Sequence, residues 1–181
     1  TGNSGSATQG VLGTYGTLTV AADGTYTYTA NTAAAEALAE GAQQTDVFTY
    51  TVKDDDDKNS STATLTITVT GKDDDPVASA DTGTATEDGP QVSVDAASGV
   101  LANDTDVDAG ETLVVSAVGG NGAAVGQDVT GSLGTLNLDA DGSYTYIADQ
   151  AGADAITAGQ TATDTFNSVS YTHLRAHETR T

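Results

Sequence analysis

A 34-residue stretch of this chain is written twice. "YGTLTVAADGTYTYTANTAAAEALAEGAQQTDVF" (15–48) returns without a gap as "LGTLNLDADGSYTYIADQAGADAITAGQTATDTF" (133–166). Gly16 pairs with Gly134, Asp23 with Asp141, Tyr28 with Tyr146 and Phe48 with Phe166, an offset of 134 − 16 = 118 residues. A fixed offset means one structural unit used twice, so a fold proposed for one copy must serve the other. The sequence begins part-way through a unit with no signal peptide, so it is expected to be an internal fragment of something longer. The first copy has nothing equivalent to 77–118. The second should continue past Phe166 with a match to "TYTVKDDDDKNSSTATLTITVTG" and instead reads "NSVSYTHLRAHETRT".

Inside the repeat, apolar residues recur at every second position, the period of half-buried strands. Leu18 and Val20 alternate with threonines, as do Tyr26 and Tyr28; Phe48, Tyr50 and Val52 follow, then Ala63, Leu65, Ile67 and Val69. In the second copy Val92 and Val94, Leu113 and Val115, Leu136 and Leu138, and Tyr144 and Tyr146 supply inward faces. "AADGTY" and "DADGSY" put Asp-Gly between two such runs, predicting hairpins with Gly at positive φ. "NTAAAEALAEG" and "DQAGADAITAG" predict only short helical turns, pinned by Leu38 and Ile156. Many short strands with Gly/Asp turns predict an all-β, antiparallel β-sandwich in two incomplete copies. The divisions are 1–70 for the later part of one repeat, 71–77 for an acidic linker containing Pro76, 78–168 for a second repeat without its last strand, and 169–181 for a tail. Incomplete copies expose strand edges, so strand 61–70 is a candidate to fold onto the second copy in a permuted arrangement.

Charge narrows the partners. Twenty-six acids face five bases, a formal charge of −21. Such a surface repels phosphate backbones and anionic lipid, which argues against nucleic acid and membrane partners, and it attracts cations. No apolar run reaches the length of a membrane span. Leu, Ile, Val and Phe number 31 of 181 residues, a composition that borders on disorder, so the core is thin. With no Cys there is neither disulfide nor thiol-bound zinc to staple it. Calcium held by carboxylates is the remaining device.

His173 and His177, four apart and followed by Glu178, invite a metal-hydrolase reading. Their context argues against it. Val169–Thr179 resembles a reading frame through transposon adapter DNA used in sequencing libraries, and it begins where the repeat breaks off. The tail is therefore expected to be non-native and its histidines no site.

"PVASADTGTATEDG", "GVLANDTDVDAGETLVVSAV", "YGTLTVAADGTYTYT" and "TDVFTYTV" closely resemble the VCBS-type repeats of large bacterial RTX-like surface proteins. The resemblance covers residues 1–166. It departs at "GKDDDP", where such linkers commonly carry Asn-Asp before the proline, and at "KDDDDKNS", where a Gly-rich turn is usual. It implies a cadherin-like or immunoglobulin-like sandwich, type I export, an extracellular or cell-surface location, and a role in adhesion or biofilm.

"NDTDVDAGET" is the best candidate for chemistry. Asp104, Asp106 and Asp108 alternate, and Gly110 permits a bend before Glu111. Calcium takes about six to eight hard oxygens, which closely spaced carboxylates and carbonyls can deliver. The loop is no EF-hand, since its Gly is one place late and Val115 stands where the closing Glu would be. Asp73, Asp74 and Asp75 are similar to the acidic linkers in which cadherin-like domains share calcium, and Glu87 and Asp88 add two acids at the expected end of a first strand. "KDDDDK" (53–58) reads as a solvated hairpin loop.

No catalytic residue is assigned. There is no Cys, no His outside the tail, and no Ser in a nucleophile-elbow context. The expected role is a calcium-stabilised tandem repeat of a stalk or adhesin, with neighbouring repeats of the same chain and a host or biofilm surface ligand as partners. The alternatives are a glycan- or protein-binding module and a spacer in a secreted enzyme.

Overall fold

A computed structural model describes residues 10–52, 58 and 61–172. His173, His177 and residues 53–57 of the acidic run lie outside the described residues. The chain divides into two compact units. One comprises residues 1–74 with Val107–Gly110, the other Asp75–Asp106 with 111–181.

The first unit opens with an antiparallel meander of β1 (Gly10–Leu12), β2 (Gly16–Val20) and β3 (Tyr26–Ala30). The turn between β2 and β3 follows its Asp-Gly chemistry. Asp23 Oδ1 accepts from the Thr25 N–H (3.0 Å) and the Thr25 hydroxyl (2.7 Å), and Gly24 sits at φ 88°. One helical turn, α1 (Ala33–Glu36), is capped by Thr32, whose hydroxyl accepts from Ala35 N–H, and Leu38 just beyond it is buried. β4 (Gln43–Tyr50) and β5 (Ala63–Thr70) then form an eight-residue antiparallel ladder. Strand 61–70 therefore stays with its own copy, and the permuted arrangement does not occur: a hairpin closes a shorter loop than any exchange would.

The second unit contains β6 (Val92–Val94), β7 (Leu113–Val118), β8 (Asp128–Thr130), β9 (Thr135–Leu138), β10 (Tyr144–Ile147), the turn α2 (Ala151–Asp154) and β11 (Ser168–Thr172). One sheet runs β6-β10-β9-β8, and β7 pairs with β11 with a register shift after Val169. The backbone of Val169–Thr172, assigned from sequence to the tail, thus carries a ladder. Val115, Val118, Leu136 and Leu138 form the core, with Val100, Leu101, Tyr144, Tyr146 and Phe166 packed on it. Ala153, rather than Ile156, is the residue of the second helical turn that is fully buried. β8, β9, β10 and α2 sit at the repeat offset from β1, β2, β3 and α1, so the copies agree in structure as they do in letters.

A carboxylate, buried in the first copy and half-buried in the second, fastens each copy. In the first, Asp46 Oδ1 accepts from Thr14 N–H (2.7 Å), and its Oδ2 accepts from Tyr15 N–H (3.1 Å), Gly16 N–H (3.2 Å) and Tyr28 Oη (2.8 Å). In the second, Asp164 Oδ1 accepts from Ser132 N–H (2.9 Å), and its Oδ2 from Leu133 N–H (2.9 Å), Gly134 N–H (3.0 Å) and Tyr146 Oη (3.1 Å). Three successive backbone N–H groups converging on one anion form a nest, and the Tyr ring closes it. Phe48 and Phe166, two residues on, meet the same tyrosines edge-on at 6.3 and 6.2 Å. Gly16 and Gly134 permit this closeness: a Cβ on either would strike the carbonyl of Thr29 or Ile147 and the Tyr28 or Tyr146 ring.

Burial pushes the Asp46 carboxyl up, but the bonds from Tyr28, Thr14, Tyr15 and Gly16 outweigh it and hold the group below the ordinary 3.8. Asp164 is lowered in the same way, with burial opposed by Leu133, Ser132, Tyr146 and Gly134. Burial first, and then the bonded carboxylate, push Tyr28 and Tyr146 from 10.0 up to about 12.

Candidate metal centre

The acids of "NDTDVDAGET" do not act as one set. Asp104 belongs to the second unit, where its Oδ1 accepts from Ser79 N–H at 2.8 Å. Val77 and Thr105 exchange both backbone hydrogen bonds alongside (2.8 and 3.0 Å), and Asn103 Nδ2 donates to the Ala80 carbonyl (3.4 Å). The sequence reading missed a neighbour here. Loss of water around its carboxyl, then the charge of Asp104, push Asp81 above the ordinary carboxylate range, against a lowering hydrogen bond from Asn103. Its position in the Val77–Asp81 run beside this loop was not legible in spacing, because the two acids are 23 residues apart.

Asp108 lies in the Val107–Gly110 segment of the first unit and is 5% exposed. Its Oδ2 accepts from the Asp74 N–H at 2.8 Å, and the Ala109 N–H donates to the Ala37 carbonyl at 3.2 Å. Gly110, at φ 87°, supplies the bend expected of it. Asp73 and Asp108, both of this unit, each bring one carboxylate oxygen within 4.8 Å of the other. Asp108 Oδ1 and Glu111 Oε2 are shut off from solvent, as is Asp106 Oδ2.

That geometry suits a hard cation. Oxygens coordinating calcium at about 2.4 Å stand at most about 4.8 Å apart, so two oxygens inside that limit can touch one ion. The donor set is all oxygen and anionic, which fits calcium and not a soft metal. The pair takes in two of the nine acids expected from sequence. Asp74 contributes its backbone N–H to the site. Asp75, Asp104, Asp106 and Glu111 belong to the second unit, as do Glu87 and Asp88. Asp88 takes φ 53° in a turn closed by the Gly89 N–H on the Thr86 carbonyl (3.0 Å). The expected first strand before this turn is not formed: apart from the single Val77–Thr105 bridge, residues 71–91 have no ladder.

The second unit also has a surface depression of about 520 Å³, lined by Asp95, Asp139, Asp141, Ser143 and Tyr144 among others, where the sequence suggested no pocket. Among the described residues no helix is long and apolar enough to cross a membrane.

No curated protein matches the chain. A family model described as the bacterial cadherin-like domain matches residues 1–71 and again 73–178. Each match contains one complete Asp–Tyr clasp, so the duplication seen in the letters, in the strands and in the family match is the same one. The chain belongs to the bacterial cadherin-like domain family.

Proposed function

We propose that this chain is a pair of VCBS-type repeats from a bacterial surface protein, stiffened by calcium and serving as a stalk or adhesin segment in attachment or biofilm. The observation that carries the reading is the convergence of Asp73 and Asp108. Two carboxylates that close together repel one another, and the whole chain adds to that repulsion at −21. A divalent ion reverses the sign of the interaction and ties the linker acid Asp73 to the Asp108 loop. An ion that binds only the folded form stabilises by RT ln(1 + [L]/Kd), about 2.7 kcal/mol at about a hundredfold excess over Kd. For a thin-cored domain of marginal stability that is a large share of the total. Its partners in this reading are neighbouring repeats and a surface ligand outside the cell, and its role is structural rather than catalytic.

Thermal melts of the full chain in millimolar calcium and in chelator test the proposal. Calcium should raise the midpoint by about 5 °C or more. Asp108→Asn keeps the shape but removes a charge, and should erase most of that gain. Equal midpoints in calcium and chelator would overturn the reading.

A further inference from the structure

We infer that the Thr161–Ser168 edge of the second unit receives a strand of the β5 sequence from another copy of the repeat. The first unit shows the paired state. There β4 holds β5 along all eight residues, with Asp46 opposite Ile67, Phe48 opposite Leu65 and Tyr50 opposite Ala63. The repeat offset maps Gln43–Tyr50 onto Thr161–Ser168.

The second unit lays this segment in the same place. Asp164 makes the same four hydrogen bonds as Asp46, and Phe166 meets Tyr146 as Phe48 meets Tyr28. Yet among the described residues Thr161–Asn167 takes no ladder; beyond it, the Asn167 carbonyl accepts from Gly119 N–H and Ser168 starts β11. A backbone already held in place by side-chain bonds, with no strand alongside among the described residues, is a template for strand addition. Its conformational entropy has largely been spent on the clasp, which lowers the cost of pairing.

The repeat itself specifies the occupant. "ATLTITVT" alternates threonine with Leu65, Ile67 and Val69, and in the first-unit register this puts Leu65 opposite Phe166 and Ile67 opposite Asp164. The strand has no charged residue, so it adds nothing to the acidic repulsion of its receptor.

Hydrogen exchange on the full chain tests this, with a synthetic peptide of the Thr62–Gly71 sequence in excess. Exchange across 161–168 should slow by about tenfold or more and saturate with peptide. A peptide carrying Ile67→Pro should have no effect, because proline removes a ladder donor and fixes φ. The inference is overturned by unchanged exchange at 161–168, by equal slowing with a scrambled peptide of the same composition, or by slowing confined to 43–50.

Discussion

Val20 and Leu138 occupy the same position of the repeat, yet Val20 is 36% exposed and Leu138 only 3%. One register further on, Tyr26 is 52% exposed while its counterpart Tyr144 is half-buried. The strands, the Asp-Gly turns and the clasps of the two units agree, so neither hairpin geometry nor the carboxylate nest depends on how deep the apolar face is covered. What differs is the second layer. In the second unit β7 brings Val115 and Val118 against Leu136 and Leu138, and Val100 and Leu101 pack on the same cluster. The described residues of the first unit include no equivalent of β7. Alternation in sequence fixes which face is apolar; a facing strand decides whether that face becomes a core.

The largest effect expected from this contrast is at the matched pair itself. Leu138→Ala should cost about 2–4 kcal/mol, by lost burial and a cavity, whereas Val20→Ala should stay within about 0.5 kcal/mol. Denaturant melts with a probe in each unit would read both, and equal costs would break the comparison. The clasp comes next. Asp46→Ala should cost about 3 kcal/mol, because three backbone N–H groups and a phenol lose a charged acceptor that is 4% exposed. Asp164 is half-buried, so water can replace part of what is lost, and about 2 kcal/mol is expected from Asp164→Ala. Measured with the same probes, a larger loss at Asp164 would reverse this ranking.

The smallest effects are in pH. Asp46 and Asp164 have folded pKa values below 3.8, so the stability they confer is complete above that value and is lost as pH falls through the lowered ones. Tyr28 and Tyr146 act from the other end. Raised from 10.0 to about 12, they contribute fully below pH 10.0 and lose that contribution as pH climbs toward about 12. Both units should therefore weaken together at each extreme, and Tyr146→Phe should remove the alkaline loss from the second unit alone, as followed by circular dichroism at graded pH.

Much of the architecture could be read from the letters, because it is local. Asp23-Gly24 and Asp141-Gly142 dictate their own turns, and the 118-residue offset predicts that the copies share a fold. The calcium candidate was half legible. Spacing pointed to Asp108 but could not separate it from Asp104, which turns toward Ser79. Asp73 reaches the same place beside the Asp74 N–H that binds Asp108, a contact across 34 residues. The clasp escaped notice although every member of it was in the repeat. Asp46 and Asp164 sit in "TDVF" and "TDTF", where a lone acid in a strand reads as solvent-facing. What would have exposed it is the recurrence of Gly-x-x-Gly, Tyr and Asp at matched distances in both copies. The first strand expected before Glu87 failed for a different reason: a strand needs a neighbour, and no strand pairs with residues 78–91 among the described residues.

The clasp also bears on how such a module is made. Each carboxylate reaches N–H groups only 30 to 32 residues upstream, so the loop it closes is short. Closure entropy grows slowly with length, and contacts close in sequence favour rapid folding. A chain of these units can therefore lock each one soon after its thirty-odd residues become available, whatever follows. The number of units in tandem then has little bearing on the speed at which any one of them sets.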